Sequence, residues 1–470
     1  MISGMNSYDL VVIGSGPAGH HAAIQATKLG KKVALVDRKN RTGGICFHTG
    51  TIPSKTLREA VLYLSGHRQK QIYGESYRVK DEITFEDLLF RCRQVVSKEV
   101  EVYRSQFARN GIMFYDGVAR FKNPHVIFVE SDDGGSLLKA DKIIIATGSL
   151  SVSSPDFPVD GQRVFDAENL YNMSEIPKSM IIVGGGVIGM EYACIFAALG
   201  VHVTVIDGRK RLLEFLDGEI VEALMFHMRE KGVTFRLGET VEQVEKNDNG
   251  IIAKTKSNKL LRAQVALYAA GRIGNVLHLD LDVAGLQTDE RNKISVNESF
   301  QTSVPHIFAA GDVIGFPGLA STSMEQGRVA SLNAFNIKNE GMPITFPYGL
   351  YTIPEISFIG QAEEQLTSES IPYEVGVAYT REIARGNILG DTTGRLKIIF
   401  NRETEKILGV HAIGDGATEL IHIGQAVMAF GGTIRYFIDQ VFNYPTLAEA
   451  YKVAALHGIN KMGYYEQKAA

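Results

Sequence analysis

Cysteine is scarce in this chain: three residues among 470, at Cys46, Cys92 and Cys194. Their odd number and wide separation suggest neither a disulfide framework nor a structural zinc site. Such usage suits a reducing compartment, and the cytoplasm is the expected location. Long apolar runs are missing too, none approaching the roughly 18 residues that a membrane-spanning helix needs. Nor does one sign of charge dominate, since 49 Lys and Arg stand against 53 Asp and Glu, a formal net charge of -4 with no long block of either sign. Neither nucleic acid nor an anionic membrane is an expected partner, so a small anionic ligand would have to be gripped locally. The first nine residues hold no Lys or Arg, and the apolar stretch Leu10 to Ile13 runs straight into a glycine turn, so no signal peptide is expected.

What the chain does have is glycine, 48 residues of it, with 45% apolar and 22% charged residues, a composition that folds. At roughly 150 residues per domain the length suggests about three domains. The first informative segment is Asp9-Leu10-Val11-Val12-Ile13-Gly14-Ser15-Gly16-Pro17-Ala18-Gly19, followed by a small-residue helix pattern to Leu29-Gly30 and an apolar strand, Val33 to Val36, ending in Asp37. This is strand, glycine turn, helix, strand, acid. Gly14 permits the tight turn, Gly16 lets the backbone approach a pyrophosphate, and Gly19 lets the helix pack closely on the strand. Asp37 is placed to accept hydrogen bonds from a ribose.

The plan recurs at Met180-Ile181-Ile182-Val183-Gly184-Gly185-Gly186-Val187-Ile188-Gly189, with Leu199-Gly200 closing the helix and Val203 to Ile206 leading into Asp207. From first glycine to acid is 23 residues in both copies, and to the helix-ending glycine 16 in both. A lone glycine triplet often marks an ordinary turn; two with matching offsets, each between a strand and a helix, imply two bound dinucleotides. Each copy also has a later strand ending in glycine, at Ala146-Thr147-Gly148 and Ala269-Ala270-Gly271-Arg272. The interval from first glycine to this one is 134 residues in the first copy and 87 in the second, so the first carries an insert over much of Arg41 to Gly111.

That insert opens Thr42-Gly43-Gly44-Ile45-Cys46-Phe47-His48-Thr49-Gly50-Thr51-Ile52-Pro53-Ser54-Lys55. Here the sequence resembles the two-dinucleotide-binding flavoprotein family that includes dihydrolipoamide dehydrogenase and glutathione reductase. The resemblance covers nearly the whole chain and takes in Ile307-Phe308-Ala309-Ala310-Gly311-Asp312. It implies an α/β protein with two Rossmann-like dinucleotide-binding domains plus a C-terminal α+β dimerisation domain. The expected divisions are an FAD-binding domain in two parts, 1–155 and 276–345, an NAD(P)-binding domain, 156–275, and a dimer-interface domain, 346–470. It further implies that Gly44, Cys46, Thr147, Gly148, Gly311 and Asp312 contact the flavin, and that Gly184, Gly186, Gly189, Asp207, Arg209 and Gly271 serve the nicotinamide dinucleotide.

Two departures from the disulfide-reducing pattern occur together. Those enzymes have a second cysteine five residues after the first, where this chain has Thr51, whose hydroxyl cannot form a disulfide. They also carry His-Pro-Thr near the C-terminus, the histidine being the acid–base group; this chain reads Asn443-Tyr444-Pro445-Thr446, and a tyrosine of pKa near 10 is a poor substitute. The joint loss suggests that chemistry beyond the flavin has been discarded. Within the family, Gly50 to Lys55 and Phe442 to Tyr451 resemble members that pass hydride between NADPH and NAD⁺ with FAD as carrier. One nicotinamide site used in alternation predicts ping-pong kinetics.

By the same resemblance Lys55 would approach the flavin and pair with Glu191, against the plain reading of an exposed helix lysine. Asp207-Gly208-Arg209-Lys210-Arg211 combines an acid that suits the NAD ribose with basic residues that suit the NADP 2′-phosphate, Arg209 first among them, so both NAD(H) and NADP(H) are expected substrates. Tyr444 would fill space beside a partner subunit's flavin in a homodimer or larger assembly, or simply pack. The competing functions are an NAD(P)H:acceptor oxidoreductase of quinone or diaphorase type, a disulfide reductase using Cys46 with an external thiol, and a nicotinamide-binding redox sensor with little turnover. Elsewhere, Leu396 to Phe400 and Ile407 to His411 read as a hairpin, Glu419 to Phe430 as a helix, and a last helix begins near Leu447. His411, His422 and His457 show no metal-ligand spacing.

Overall fold

The computed structural model describes residues 2–74, 76–77, 79–132 and 134–463. The aliphatic runs of the first copy form parallel strands. Ile2–Ile13 pairs with Val33–Asp37 on one side and Gly134–Ile145 on the other, and Ile307–Ala309 pairs in turn with Ile143 to Ile145. Leu10, Val12, Leu35 and Ile144 are wholly buried, as strands covered on both faces must be. Each such side chain contributes about 1.5–3 kcal/mol. Strand order brings three carboxyl ends together, so that Gly14, Thr147-Gly148 and Gly311-Asp312 all emerge at one edge. That is where open α/β sheets bind ligands.

The helices Pro17–Lys28 and Ala320–Ala334 pack on one another through small residues; a Cβ at Gly327 would stand 2.0 Å from the Ala18 carbonyl oxygen. The insert is helical: Gly44–His48, Thr51–Leu64, His67–Tyr73 and Phe85–Arg109, the last begun by a reciprocal cap between Thr84 and Asp87.

The second copy builds its own parallel sheet in the order Thr234–Leu237, His202–Asp207, Ser179–Val183, Val265–Tyr268, Val164–Asp166, beside an antiparallel trio, Val241–Asn247, Gly250–Thr255 and Leu260–Ala263. The chain leaves the first sheet through Ser149–Ser151 and returns through Arg272–Gly274, and these two short strands pair antiparallel. The remainder is a five-stranded antiparallel sheet, ordered Tyr348–Leu350, Ile356–Gly360, Ile407–Ile413, Arg395–Asn401, Tyr373–Tyr379, with the helices Ala417–Ala429 and Glu449–Lys461. The expected hairpin is present in register, Leu396 opposite Ala412. The last helix starts two residues later than Leu447, because Thr446 first closes a turn by donating its hydroxyl to the Asn443 carbonyl at 2.7 Å. Among the described residues no helix is long and apolar enough to cross a membrane.

Candidate active site

The two glycine turns have the same internal logic. In the first, a Cβ at Gly14 would stand 2.3 Å from the Ala146 carbonyl oxygen, and one at Gly19 1.7 Å from the Gly14 carbonyl oxygen. In the second, Gly184 and Gly189 meet Ala269 and Gly184 carbonyl oxygens at 2.4 and 1.9 Å. Those four glycines are demanded by the protein's own backbone. The middle ones are not: among the described residues nothing lies nearer than 4.0 Å to a Cβ at Gly16, and nothing within 4 Å of one at Gly186. Both middle residues cap a helix N-terminus, Pro17–Lys28 and Val187–Ala198, whose free N–H groups favour an anion.

A cleft opens over the first turn. Gly14, Gly16, Asp37, Gly44, Cys46, Thr51, Thr147, Gly148, Gly311 and Asp312 all line it. Its acid is prepared by the turn itself: Ser15 donates its backbone N–H to Asp37 Oδ2 at 2.7 Å and its hydroxyl to the same oxygen. Burial pushes the Asp37 carboxyl up, and these hydrogen bonds oppose that shift. Thr147 Oγ1 is buried and has no hydrogen-bond partner among the described residues. That buried hydroxyl in the cleft wall and the open backbone approach at Gly16 fit a bound dinucleotide. Asp312 accepts from Ser149 Oγ at 2.8 Å, and Ser149 accepts in turn from Arg272 Nε at 2.8 Å, so the residue after Gly271 is tied to the cleft.

Lys55 and Glu191 do not line the cleft. Lys55 follows Thr51 by one turn on Thr51–Leu64, while Glu191 lies two residues past Gly189 on Val187–Ala198. Their side chains meet at 2.6 Å, joining the insert to the second glycine turn. Glu191 is buried and also accepts the Tyr351 N–H at 2.9 Å, and the Lys55 ammonium stands 5.0 Å from the Tyr351 ring centroid.

Cys46 is a thiol. Burial pushes its pKa up to about 11, Asp312 adds to the rise, and hydrogen bonding with Thr51 and the charge of Lys55 only partly offset it. Cys92 and Cys194 are also buried, with pKa values raised by burial to about 11 and about 12.

In the second turn Asp207 Oδ2 accepts the Gly185 N–H at 2.7 Å, as Asp37 accepts from Ser15. Arg209 is half-exposed yet already engaged: Nε and Nη2 clasp Asp207 at 2.9 and 2.7 Å. Burial raises the Asp207 carboxyl, but the Arg209 contacts and the Gly185 N–H outweigh it and hold the pKa below the usual carboxylate range.

Sequence reasoning missed Ser15, Ser149, Gln326, which accepts the Gly311 N–H at 2.8 Å, and Tyr351. Ser15 alone had a signal, its place between two glycines of the turn. His411 and His457 bond backbone carbonyls of Gln361 and Val377, and His422 bonds the Gln425 side chain.

A family model described as "Pyridine nucleotide-disulphide oxidoreductase" matches residues 8–327, and one described as its dimerisation domain matches 346–455. The chain belongs to the pyridine nucleotide-disulphide oxidoreductase family. Among similar members of that family, proteins named "Soluble pyridine nucleotide transhydrogenase" from Mycobacterium bovis and Mycobacterium tuberculosis are each 52% identical over 460 residues, 97% of this chain and 98% of theirs. Among solved structures, the HOCl-induced flavoprotein disulfide reductase RclA from Escherichia coli superposes with a TM-score of 0.86 at 27% identity, covering 96% of this chain and 99% of that one.

Proposed function

We propose that this chain transfers hydride reversibly from NADPH to NAD⁺ through bound FAD, by a ping-pong mechanism and without a redox-active disulfide. The observation that carries the reading is the junction at Lys55 and Glu191, which links the wall of one dinucleotide cleft to the helix of a second glycine turn. Full-length likeness to proteins named soluble pyridine nucleotide transhydrogenase supports it.

FAD supplies the redox chemistry, since its ring system accepts and returns a hydride. The chain's own task is to hold and orient. Gly14, Gly16, Gly19 and Asp37 would hold the dinucleotide's pyrophosphate and ribose, with Gly44, Thr147, Gly148, Gly311 and Asp312 lining its path. Lys55, one turn beyond the cleft-lining Thr51, would bring a positive charge toward the ring from behind the cleft wall, and Glu191, fixed by Tyr351, would orient that ammonium. Gly184, Gly186, Gly189 and Asp207 would hold NAD(H) or NADP(H) in turn, with Gly271 at the domain's return. Cys46 would contact the ring as an uncharged packing group. Exposed Phe430, Val441 and Tyr444, at 92, 91 and 74%, suit a homodimer built on the C-terminal domain. Three buried thiols suit the cytoplasm.

The test is anaerobic. NADPH should bleach the bound flavin's yellow absorbance, and NAD⁺ added after removal of free nucleotide should restore it with stoichiometric NADH. Cys46→Ser should carry out both half-reactions within about threefold of wild type, because a neutral thiol of raised pKa does no proton or electron work. Abolished turnover in that variant would establish the disulfide reading; bleaching without recovery by NAD⁺ would establish the acceptor reading; no bleaching would leave a binding protein.

Arg209 separates the two nicotinamides. Its bond to Asp207 screens the acid and would be exchanged for a 2′-phosphate when NADP(H) enters. Arg209→Ala should therefore raise KM for NADPH roughly tenfold, an allowance reduced for solvent screening at a half-exposed side chain. KM for NADH should move less than about twofold, because Asp207 still accepts the ribose diol. Equal changes in the two steady-state KM values would remove this role.

A further inference from the structure

The loop between Asp207 and the helix Gly218–Glu230 is fastened on two sides. On one it belongs to the second glycine turn: besides the Gly185 N–H bond to Asp207, a Cβ at Gly185 would stand 2.4 Å from Leu212 Cδ2. On the other it is anchored to the C-terminal domain at three points. Arg211 Nη2 pairs with Glu364 Oε1 at 3.0 Å. The Phe215 ring centroid lies 5.7 and 6.2 Å from those of Tyr348 and Phe358. Asp217, which caps the helix, meets Lys397 Nζ at 2.8 Å.

The last anchor is unusual in chemistry. Lys397 stands on Arg395–Asn401 with its side chain 1% exposed, and its ammonium also meets Glu219 at 2.9 Å and Glu363. Burial opposes its charge, but the carboxylates prevail and keep it protonated. Stability is a weak reason for such a cluster, because well-packed apolar replacements of buried ion pairs are often neutral or better. Between the anchors, buried Leu213 takes a φ of 48°, a left-handed conformation that leucine keeps only where its surroundings impose it. The loop is thus held in a shape it would not choose, and the holding groups lie in another domain. They also decide where the basic run stands: Arg209 is on Asp207, Arg211 on Glu364, and Lys210 has no ion pair among the described residues.

We propose that Lys397 is a positioning residue for the nicotinamide dinucleotide, fixing the 207–217 loop over the second glycine turn by pinning Asp217. The role rests on the reading of that turn as the nicotinamide site. Affinity for the dinucleotide then depends on the contact between the nucleotide domain and the C-terminal sheet.

Lys397→Met and Glu364→Gln are to be prepared as FAD-loaded protein. The second removes an exposed anchor and folds even if the first does not. Flavin content, calorimetric Kd for NAD⁺ and NADP⁺, and kcat and KM for NADH and NADPH are then measured. Lys397→Met should raise Kd and KM for both dinucleotides roughly tenfold, and Glu364→Gln about threefold, the scale of one net hydrogen bond and of a surface ion pair. Flavin content should be retained and kcat should change less than about twofold, a split that general loss of structure does not produce. Unchanged Kd in Glu364→Gln together with unchanged Kd or failed folding in Lys397→Met would overturn the proposal, as would losses carried by kcat or flavin content alone. Wild-type protein that binds neither dinucleotide would overturn the functional reading, and this role with it.

Discussion

Gly186→Ala should leave a folded, flavin-containing protein whose KM for NADH and NADPH is raised on the order of 100-fold. Among the described residues the added methyl meets no protein atom within 4 Å, so the fold does not resist it. On the proposed reading of this turn as the nicotinamide site, what it meets is the ligand. A pyrophosphate that reaches the N–H groups at the start of Val187–Ala198 must pass over this residue, and displacing it forfeits about two charge-assisted hydrogen bonds. At about 1.5–3 kcal/mol each, their partial loss amounts to roughly a factor of 100. Gly189→Ala is the contrasting control, because its Cβ would stand 1.9 Å from the Gly184 carbonyl oxygen. That variant should lose thermal stability before any question of affinity arises. Calorimetric binding of NADP⁺, with flavin absorbance and melting temperature as controls, separates the cases. Wild-type affinity in Gly186→Ala would mean that no pyrophosphate crosses the second turn.

The turns were legible because their demands are local. A left-handed φ of 103° at Gly14 and 105° at Gly184, and a helix that must touch the strand, can be met only by glycine at fixed spacing. The parallel strands were legible for a similar reason, being short aliphatic runs between turn signals. Lys55 and Glu191 are 136 residues apart, and neither neighbourhood announces the other; only likeness to a family brought them together. Arg58 shows the limit more sharply. It sits in an amphipathic helix pattern where an arginine reads as solvated, yet it is 1% exposed, donating Nε–H to the Thr352 carbonyl at 3.0 Å and pairing with Glu355. Lys397 is illegible in the same way, since the carboxylates that make its burial tolerable come from distant segments. Arg209 was legible as a cation near Asp207, but not as one already bonded to it.

Lys55→Met should slow bleaching of the bound flavin by NADPH roughly 100-fold, the scale on which a charge-stabilising group is felt at a reacting centre. Two effects mix in that number. The ammonium is lost, and Glu191, buried and among the described residues accepting only the Tyr351 N–H besides, is left with an unmatched charge whose cost is about 3–5 kcal/mol when an ion pair is broken in the interior. Solvent reaches about a quarter of the Lys55 side chain, at 25% exposure, so the cost here falls toward the lower figure. The double variant Lys55→Met, Glu191→Gln distinguishes them, because the neutral amide no longer needs a cation. Stopped-flow reduction by NADPH and thermal melting are to be read together on both variants. If the second substitution restores the melting temperature while bleaching stays slow, the ammonium itself assists hydride transfer. Recovery of both would make the pair a structural joint between the two dinucleotide domains, with no direct part in the chemistry.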